Sequence, residues 1–139
     1  MPAPVRGFEV LEHTADVGLR VWGPDLSSLF EEAALALVAI MGSAPGPATR
    51  REDVGLDAPD GVALLVDWLS EVLFLFEARR LVPLEIDADV EPWRLRATIG
   101  GTNTERFEQT GAAVKAVTYH DAALEPTPSG FEARVYLDV

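Results

Sequence analysis

The sequence predicts an α+β fold, a single domain in which a largely antiparallel sheet has two main helices packed on it. The length of 139 residues and the 48% hydrophobic content suit one domain with one core. Two segments space their apolar residues as amphipathic helices do, and six short segments look like strands. The chain has no internal repeat and no low-complexity tract, so residues 1–139 are expected to form one domain.

The N-terminal part of the chain predicts two short strands, Phe8–Leu11 and Val17–Trp22. In the second segment apolar residues recur at every other position, which is the period of a half-buried strand. The residues between them, His13-Thr14-Ala15-Asp16, are predicted to form a turn. Gly23-Pro24 ends the second strand, because this pair favours a turn.

Two amphipathic helices are predicted at Leu26–Met41 and Gly61–Arg80. In both segments the apolar residues fall on one stripe at helical spacing. Asp25 and Asp60 stand where an N-cap is needed, and Gly42 stands where the first helix should stop. The second helix has additional apolar positions, which predicts that it is covered on more than one side.

The rest of the sequence is strand-like. The segments are Leu84–Val90, Trp93–Ile99, Val114–His120 and Phe131–Leu137. Glu91-Pro92 is short enough to make the first two a hairpin. Gly42–Thr49 and Leu124–Gly130 are rich in proline and glycine and are expected to be surface connections, and Gly100-Gly101 is expected to be a turn.

The charge and composition exclude several classes of function. The formal net charge of −12 argues against direct binding of RNA, DNA or anionic membranes, because phosphate contacts need lysine and arginine. Cations or a basic protein surface are the natural partners, although acidity also serves solubility. The chain has no cysteine, which excludes disulfides and agrees with a cytoplasmic location. Met1–Gly7 does not look like a signal peptide, and no apolar run is long enough to span a bilayer.

Familiar catalytic motifs are missing from the sequence. The two histidines, His13 and His120, form no HExxH pair, so a zinc hydrolase site is not expected. There is no G-x-S-x-G elbow and no P-loop. Oxygen ligands are therefore the most plentiful candidates for a functional site.

Three segments could carry chemistry. His13–Asp16 offers oxygen and nitrogen ligands, although its polar side chains could simply hydrogen-bond the turn. Lys115–His120 could contribute charged groups, or could be an ordinary strand with an exposed lysine. The third segment is the C-terminus, where the strand pattern runs to the last residues. An ordered end would place the Asp138 side chain beside the α-carboxylate of Val139, and two such anions repel unless a cation or donor lies between them. This predicts a site for a hard metal ion.

Four motifs together resemble the archease family. They are His13-Thr-Ala-Asp-Val-Gly18, Leu64-Leu-Val-Asp-Trp-Leu-Ser-Glu71, Val114-Lys-Ala-Val-Thr-Tyr-His120 and Tyr136-Leu-Asp-Val139. They occur in the family's order and extend from residue 13 to the last residue. Each motif is weak alone, but their co-occurrence in a chain of this length is highly specific.

The resemblance implies a function in RNA joining. Archeases assist the GTP- and manganese-dependent 3′-phosphate RNA ligase of tRNA splicing and RNA repair, and they promote guanylylation of the ligase histidine and repeated turnover. Carried over by motif, Asp16, Asp138 and the carboxylate of Val139 would form a metal-binding tip for calcium, magnesium or manganese. The same carry-over gives supporting roles to four residues: His13, Glu71, Lys115 and His120. The chain would then be an accessory protein and not an enzyme.

Two other functions remain open from the sequence. One is a small metal-dependent phosphoester hydrolase that uses Asp16 and Asp138, with His120 as a base. The other is a general chaperone-like scaffolding module, in which the C-terminus would have no special role. The first predicts turnover of a phosphoester by the purified protein, and the second predicts binding of many unfolded clients.

Overall fold

A computed structural model describes residues 5–12 and 16–139. The two α-helices are α1, Leu26–Met41, and α2, Gly61–Ala78. The strands are β1 Gly7–Glu12, β2 Asp16–Gly23, β3 Gly42–Ser43, β4 Arg50–Asp57, β5 Leu81–Glu91, β6 Arg94–Asn103, β7 Glu108–Gln109, β8 Ala116–Thr127 and β9 Gly130–Asp138. A single 3₁₀ turn, Thr104–Arg106, follows β6.

Both helices begin at the aspartates expected to cap them. The Asp25 carboxylate accepts a hydrogen bond from the Ser28 N–H at 2.7 Å, and the Asp60 carboxylate accepts one from the Ala63 N–H at 2.8 Å. The backbone hydrogen bond from Ser28 lowers the pKa of Asp25 from its ordinary value of 3.8, so this cap stays charged at neutral pH. Helix α2 ends two residues before the predicted Arg80, which adopts a left-handed conformation with φ 54°.

The strands form three antiparallel sheets, and the predicted α+β class is confirmed. The four-stranded sheet has the order β1-β2-β9-β8, the three-stranded sheet has the order β4-β6-β5, and β3 pairs with β7. The inward faces of the two larger sheets and the buried sides of both helices share one hydrophobic core. Helix α1 packs mainly on β5 and β2, and α2 packs mainly on β8.

Trp68 of α2 lies at the centre of this core and is fully buried. Its indole Nε1–H donates a 2.8 Å hydrogen bond to the Phe30 carbonyl oxygen of α1. This contact joins the two helices and satisfies the one polar group of the side chain.

Three local predictions were wrong or incomplete. Strand β4 was not predicted, because most of its residues are charged and its apolar positions are Val54 and Leu56. Pairing with β6 stabilises this strand. Gly100-Gly101 is strand and not a turn. A side chain at Gly101 would collide with the Val82 carbonyl, so glycine there permits a close approach of β5 and β6.

The segment Leu124–Gly130 is also largely strand and not a connection. Strand β8 continues to Thr127, which pairs with Gly130, so only the residues between them turn. Pro126 is tolerated because β8 lies at the edge of its sheet, where a missing N–H need not break a ladder hydrogen bond.

Replacing Thr102 with valine is expected to stabilise the protein. Thr102 is 1% exposed, and its hydroxyl has no hydrogen-bond partner within residues 5–12 and 16–139. Burying an unsatisfied hydroxyl is unfavourable, so Thr102→Val should raise the free energy of unfolding by about 1 kcal/mol. Urea denaturation measures this change. The control is Thr98→Val on the same strand, whose hydroxyl donates to Asp53 at 3.0 Å. If both substitutions changed the free energy of unfolding equally, the Thr102 hydroxyl would not be unsatisfied as described.

Candidate functional site

Asp16 and Asp138 lie directly opposite each other at one end of the four-stranded sheet. They are register partners in the antiparallel pair of β2 and β9. Side chains of such partners project from the same face of a sheet, with Cβ atoms about 4.5–5.5 Å apart. The fold thus brings together two carboxylates that are more than a hundred residues apart in the sequence. The structure therefore places opposite each other the two aspartates that the resemblance assigns to one tip.

The end of the chain is held from both sides at this point. Strand β9 is a central strand, paired with β2 on one side and β8 on the other. Asp138 is also the register partner of Ala116, and its carbonyl oxygen accepts a 2.7 Å hydrogen bond from the Lys115 N–H. The C-terminal residue Val139 follows immediately and is 38% exposed. The expectation that the last strand is tied into the sheet is confirmed.

These groups have the donor chemistry of a hard-metal site. Calcium, magnesium and manganese favour carboxylate oxygens, and Asp16 and Asp138 supply two carboxylates. In the part of the chain that the structure describes, no three histidine, cysteine or acidic side chains cluster as a metal site, and Asp16 and Asp138 make only a pair. The chain can thus provide part of a coordination shell, and water or a partner would have to complete it. His13, a predicted supporting residue, lies outside the described residues.

Lys115 and Glu71 lie on the two elements next to this end of the sheet. Lys115 is exposed and immediately precedes β8, where its backbone holds Asp138. Glu71 is half-buried on α2, the helix that packs on β8. The Lys115 backbone therefore adjoins Asp138, and the supporting roles of Lys115 and Glu71 stay predictions.

His120 is placed differently. It lies in an irregular stretch of β8 between Thr118 and Ala123, and its Nε2 is 3.2 Å from the Asp121 carboxylate. The backbone of Asp121 is left-handed, with φ 57°. Four residues separate His120 from Ala116, the partner of Asp138, which is on the order of 10 Å along a strand. His120 therefore pairs with Asp121, and its supporting role at the two aspartates stays a prediction.

A hydrogen bond that the sequence analysis missed joins α2 to β8. The Tyr119 hydroxyl donates to the Asp67 carboxylate at 3.1 Å. This bond raises the pKa of Tyr119 above its ordinary value of 10.0, so the phenol stays protonated and keeps its donor at neutral pH. The only sequence signal was that Asp67 and Glu71 are four residues apart on one helix face, which does not reveal a partner on another strand.

A cavity lies at the other end of the same sheet. It has a volume of about 580 Å³, and Arg20, Trp22 and Phe131 are among its lining residues. The Arg20 guanidinium stacks 4.6 Å from the centre of the Trp22 ring and pairs with Glu9 and Glu132. Six residues of β2 separate Trp22 from Asp16, which is about 20 Å of strand. This cavity is therefore remote from the candidate site, where Asp16 is half-buried and Asp138 is exposed.

Comparison with known proteins identifies the family. The model of the "Archease protein family (MTH1598/TM1083)" matches residues 8–139. The chain is 36% identical to protein archease of Methanosarcina acetivorans and 37% identical to that of Methanosarcina mazei, with 100% of each chain covered. The chain belongs to the archease family.

Solved structures of the family share the fold of this archease. The solution structure of Methanobacterium thermoautotrophicum protein 1598 matches with a TM-score of 0.72 and 32% identity, over 96% of this chain and 99% of that one. A Thermotoga maritima crystal structure, described as an archease and possible chaperone, matches with a TM-score of 0.66 at 20% identity, over 100% of this chain and 98% of that one. The second likeness supports the fold alone. The names of these relatives describe no catalytic reaction, and no helix among the described residues is long and apolar enough to cross a membrane.

Proposed function

We propose that this archease activates the GTP- and manganese-dependent 3′-phosphate RNA ligase of tRNA splicing and RNA repair, in the cytoplasm, and does no chemistry alone. The observation that carries the proposal is the pairing of Asp16 with Asp138 beside the chain's own C-terminal carboxylate. The half-buried Asp16 and the exposed Asp138, together with the Val139 carboxylate, would supply part of a metal site that a second protein completes.

The three groups at the tip are suited to act in trans. Directly opposed like charges on neighbouring strands are unfavourable by themselves, so the arrangement gains stability when a divalent cation is present. A divalent ion held there would supply charge neutralisation for phosphate oxygens of GTP in the ligase. The ligase histidine remains the nucleophile. The role of Asp16, Asp138 and Val139 is to present oxygen ligands in a fixed geometry.

The rest of the tip supports this geometry. The Lys115 N–H restrains the Asp138 main chain, so the side chain and the terminal carboxylate lose little freedom when an ion binds. Lys115 itself is a cation that could contact a phosphate, and Glu71 is an additional acid on the adjoining helix. The formal net charge of −12 favours approach to a basic, RNA-binding partner and disfavours direct competition for the RNA phosphates.

Guanylylation of the purified ligase tests the proposal directly. Transfer of radiolabel from GTP to the ligase histidine is measured with and without the purified archease, at several manganese concentrations. The proposal expects faster guanylylation and repeated RNA joining when archease is present. If the rate is the same with and without archease at every metal concentration, the proposal is wrong.

The hydrolase alternative is not favoured by the position of His120. The general base would have to reach a water held between Asp16 and Asp138, and His120 is several residues further along β8 and paired with Asp121. A chaperone-like role gives the two aspartates no function, so their position opposite each other does not support it. Incubating the archease alone with model phosphoesters, and with unfolded clients, distinguishes these alternatives from activation of the ligase.

A further inference from the structure

Exposed apolar side chains collect on two sides of the molecule. In the part of the chain that the structure describes, the exposed large apolar residues are Val5, Phe8, Val10, Phe74, Tyr119 and Val139. The first three lie on or just before β1. The last three lie on α2, on β8 and at the C-terminus. Single exposed apolar residues are common on protein surfaces. Two exposed aromatic rings near a proposed ligand-binding tip instead indicate an interaction surface.

The second group lies on the helix side of the sheet. Helix α2 runs antiparallel to β8, because Gly61 packs against Leu124 and Asp67 hydrogen-bonds Tyr119. Phe74 is seven residues beyond Asp67 on the same helix face, about 10 Å further along the axis. That direction leads towards the start of β8, where Ala116 is paired with Asp138. Phe74 therefore lies towards the end of the sheet that carries the two aspartates, but on the helix side, whereas Asp16 and Asp138 alternate with the buried Leu137 and project from the opposite face.

The surroundings of Phe74 are acidic. Helix α2 contains Asp67, Glu71 and Glu77 and has no lysine or arginine. At helical spacing these three acids fall on the same side of the helix as Phe74, which is 50% exposed. Tyr119 is 57% exposed, and its hydroxyl is already bonded to Asp67, so its ring is held in one orientation. An anchored ring loses less conformational freedom when a partner covers it.

We propose that Phe74 and Tyr119, within their acidic surround, form the surface that docks on a basic face of the RNA ligase. The inference rests on the proposed function. A ligase that binds GTP and RNA must present arginine and lysine around its cleft. Guanidinium groups stack on aromatic rings and pair with carboxylates, and this surface offers both. The Phe74–Tyr119 surface would supply affinity, and the aspartate tip would supply the effect on the reaction.

Binding and stimulation can be separated by a titration. Isothermal titration calorimetry of purified archease into purified ligase gives Kd, and guanylylation at saturating archease gives the maximal stimulated rate. Phe74→Ala is expected to raise Kd about tenfold or more, as truncation of an interface anchor does, while the rate at saturation equals that of wild type. Phe8→Ala on the β1 side is the matched aromatic control and should leave Kd within about twofold. Glu77→Gln should make Kd less sensitive to salt.

The possible results distinguish failure of the docking surface from failure of the proposed function. An unchanged Kd for Phe74→Ala, with wild-type protein that binds and stimulates, overturns the docking surface and leaves the proposed function intact. A lower rate at saturation with unchanged Kd also overturns it, because Phe74 would then act on the reaction. Wild-type protein that neither binds nor stimulates the ligase overturns both. Tyr119→Phe, which keeps the ring and removes the bond to Asp67, should raise Kd less than Tyr119→Ala; equal effects would contradict a role for the ring itself.

Discussion

Asp138→Asn is expected to abolish both metal binding and stimulation of the ligase. Wild-type protein should be stabilised by about 2.7 kcal/mol when the metal is a hundredfold above its Kd, which corresponds to a rise in Tm of roughly 10 °C for a domain of this size. The variant loses one of two opposed carboxylates, so its Tm should not respond to calcium, magnesium or manganese. Guanylylation of the ligase should fall to the rate without archease. Differential scanning calorimetry and the radiolabel assay measure the two effects.

The metal-free proteins provide the sharpest control. Without metal, Asp138→Asn should be at least as stable as wild type, because it removes repulsion between Asp16 and Asp138. If Asp138 had only a structural role, its replacement would lower the stability of the metal-free protein. Asp87→Asn, an exposed aspartate on the outward face of β5, changes the net charge equally and should leave the metal response and the stimulation unchanged. A full metal response in Asp138→Asn would refute the site.

A second variant isolates the terminal carboxylate. One residue added after Val139 displaces that carboxylate and alters no side chain, so any loss of metal response belongs to the main-chain group alone. Normal stimulation by the extended protein would remove Val139 from the proposed ligand set while leaving the two aspartates in it.

Trp68→Ala is expected to have the largest effect on stability. The side chain is fully buried between the helices, and its removal deletes the hydrogen bond to the Phe30 carbonyl and leaves a large cavity. Comparable substitutions cost about 3–5 kcal/mol, which is a large part of the stability of an ordinary domain. Equilibrium urea denaturation measures the change.

Trp68→Phe separates packing from the hydrogen bond. It keeps most of the apolar volume and loses the indole donor, so the expected cost is about 1–2 kcal/mol. A cost below about 1 kcal/mol for Trp68→Ala would mean that the core does not close around this residue as described.

Much of the fold was predictable because the signals are local. The caps of α1 and α2 lie within four residues of the groups they satisfy, and the apolar stripes of both helices follow from periodicity alone. Strand β4 was not predictable in this way. Val54 and Leu56 are too few to stand out among charged neighbours, and its stability comes from pairing with β6, some forty residues later. The same applies to Gly100-Gly101, whose turn-like composition is overruled by the close approach of β5.

The candidate site was likewise predictable only in part. The residues of the tip were named from motifs and from the strand pattern at the C-terminus, and their meeting was a prediction about which strands pair. The bond between Tyr119 and Asp67 and the separation of His120 from Asp138 depend on the irregular stretch of β8. No short-range pattern predicts where such an irregularity falls.

By itself the sequence determined the α+β class, both helices with their caps, the acidic character and the resemblance that led to the family. Tertiary structure alone decided that β2 and β9 are neighbours with Asp16 opposite Asp138, and that Tyr119 of β8 is bonded to Asp67 of α2. The physical reason is the distance along the sequence over which each interaction acts. Capping and periodicity act within a few residues, whereas strand register is chosen by burial of the whole core and becomes definite only when the chain is folded.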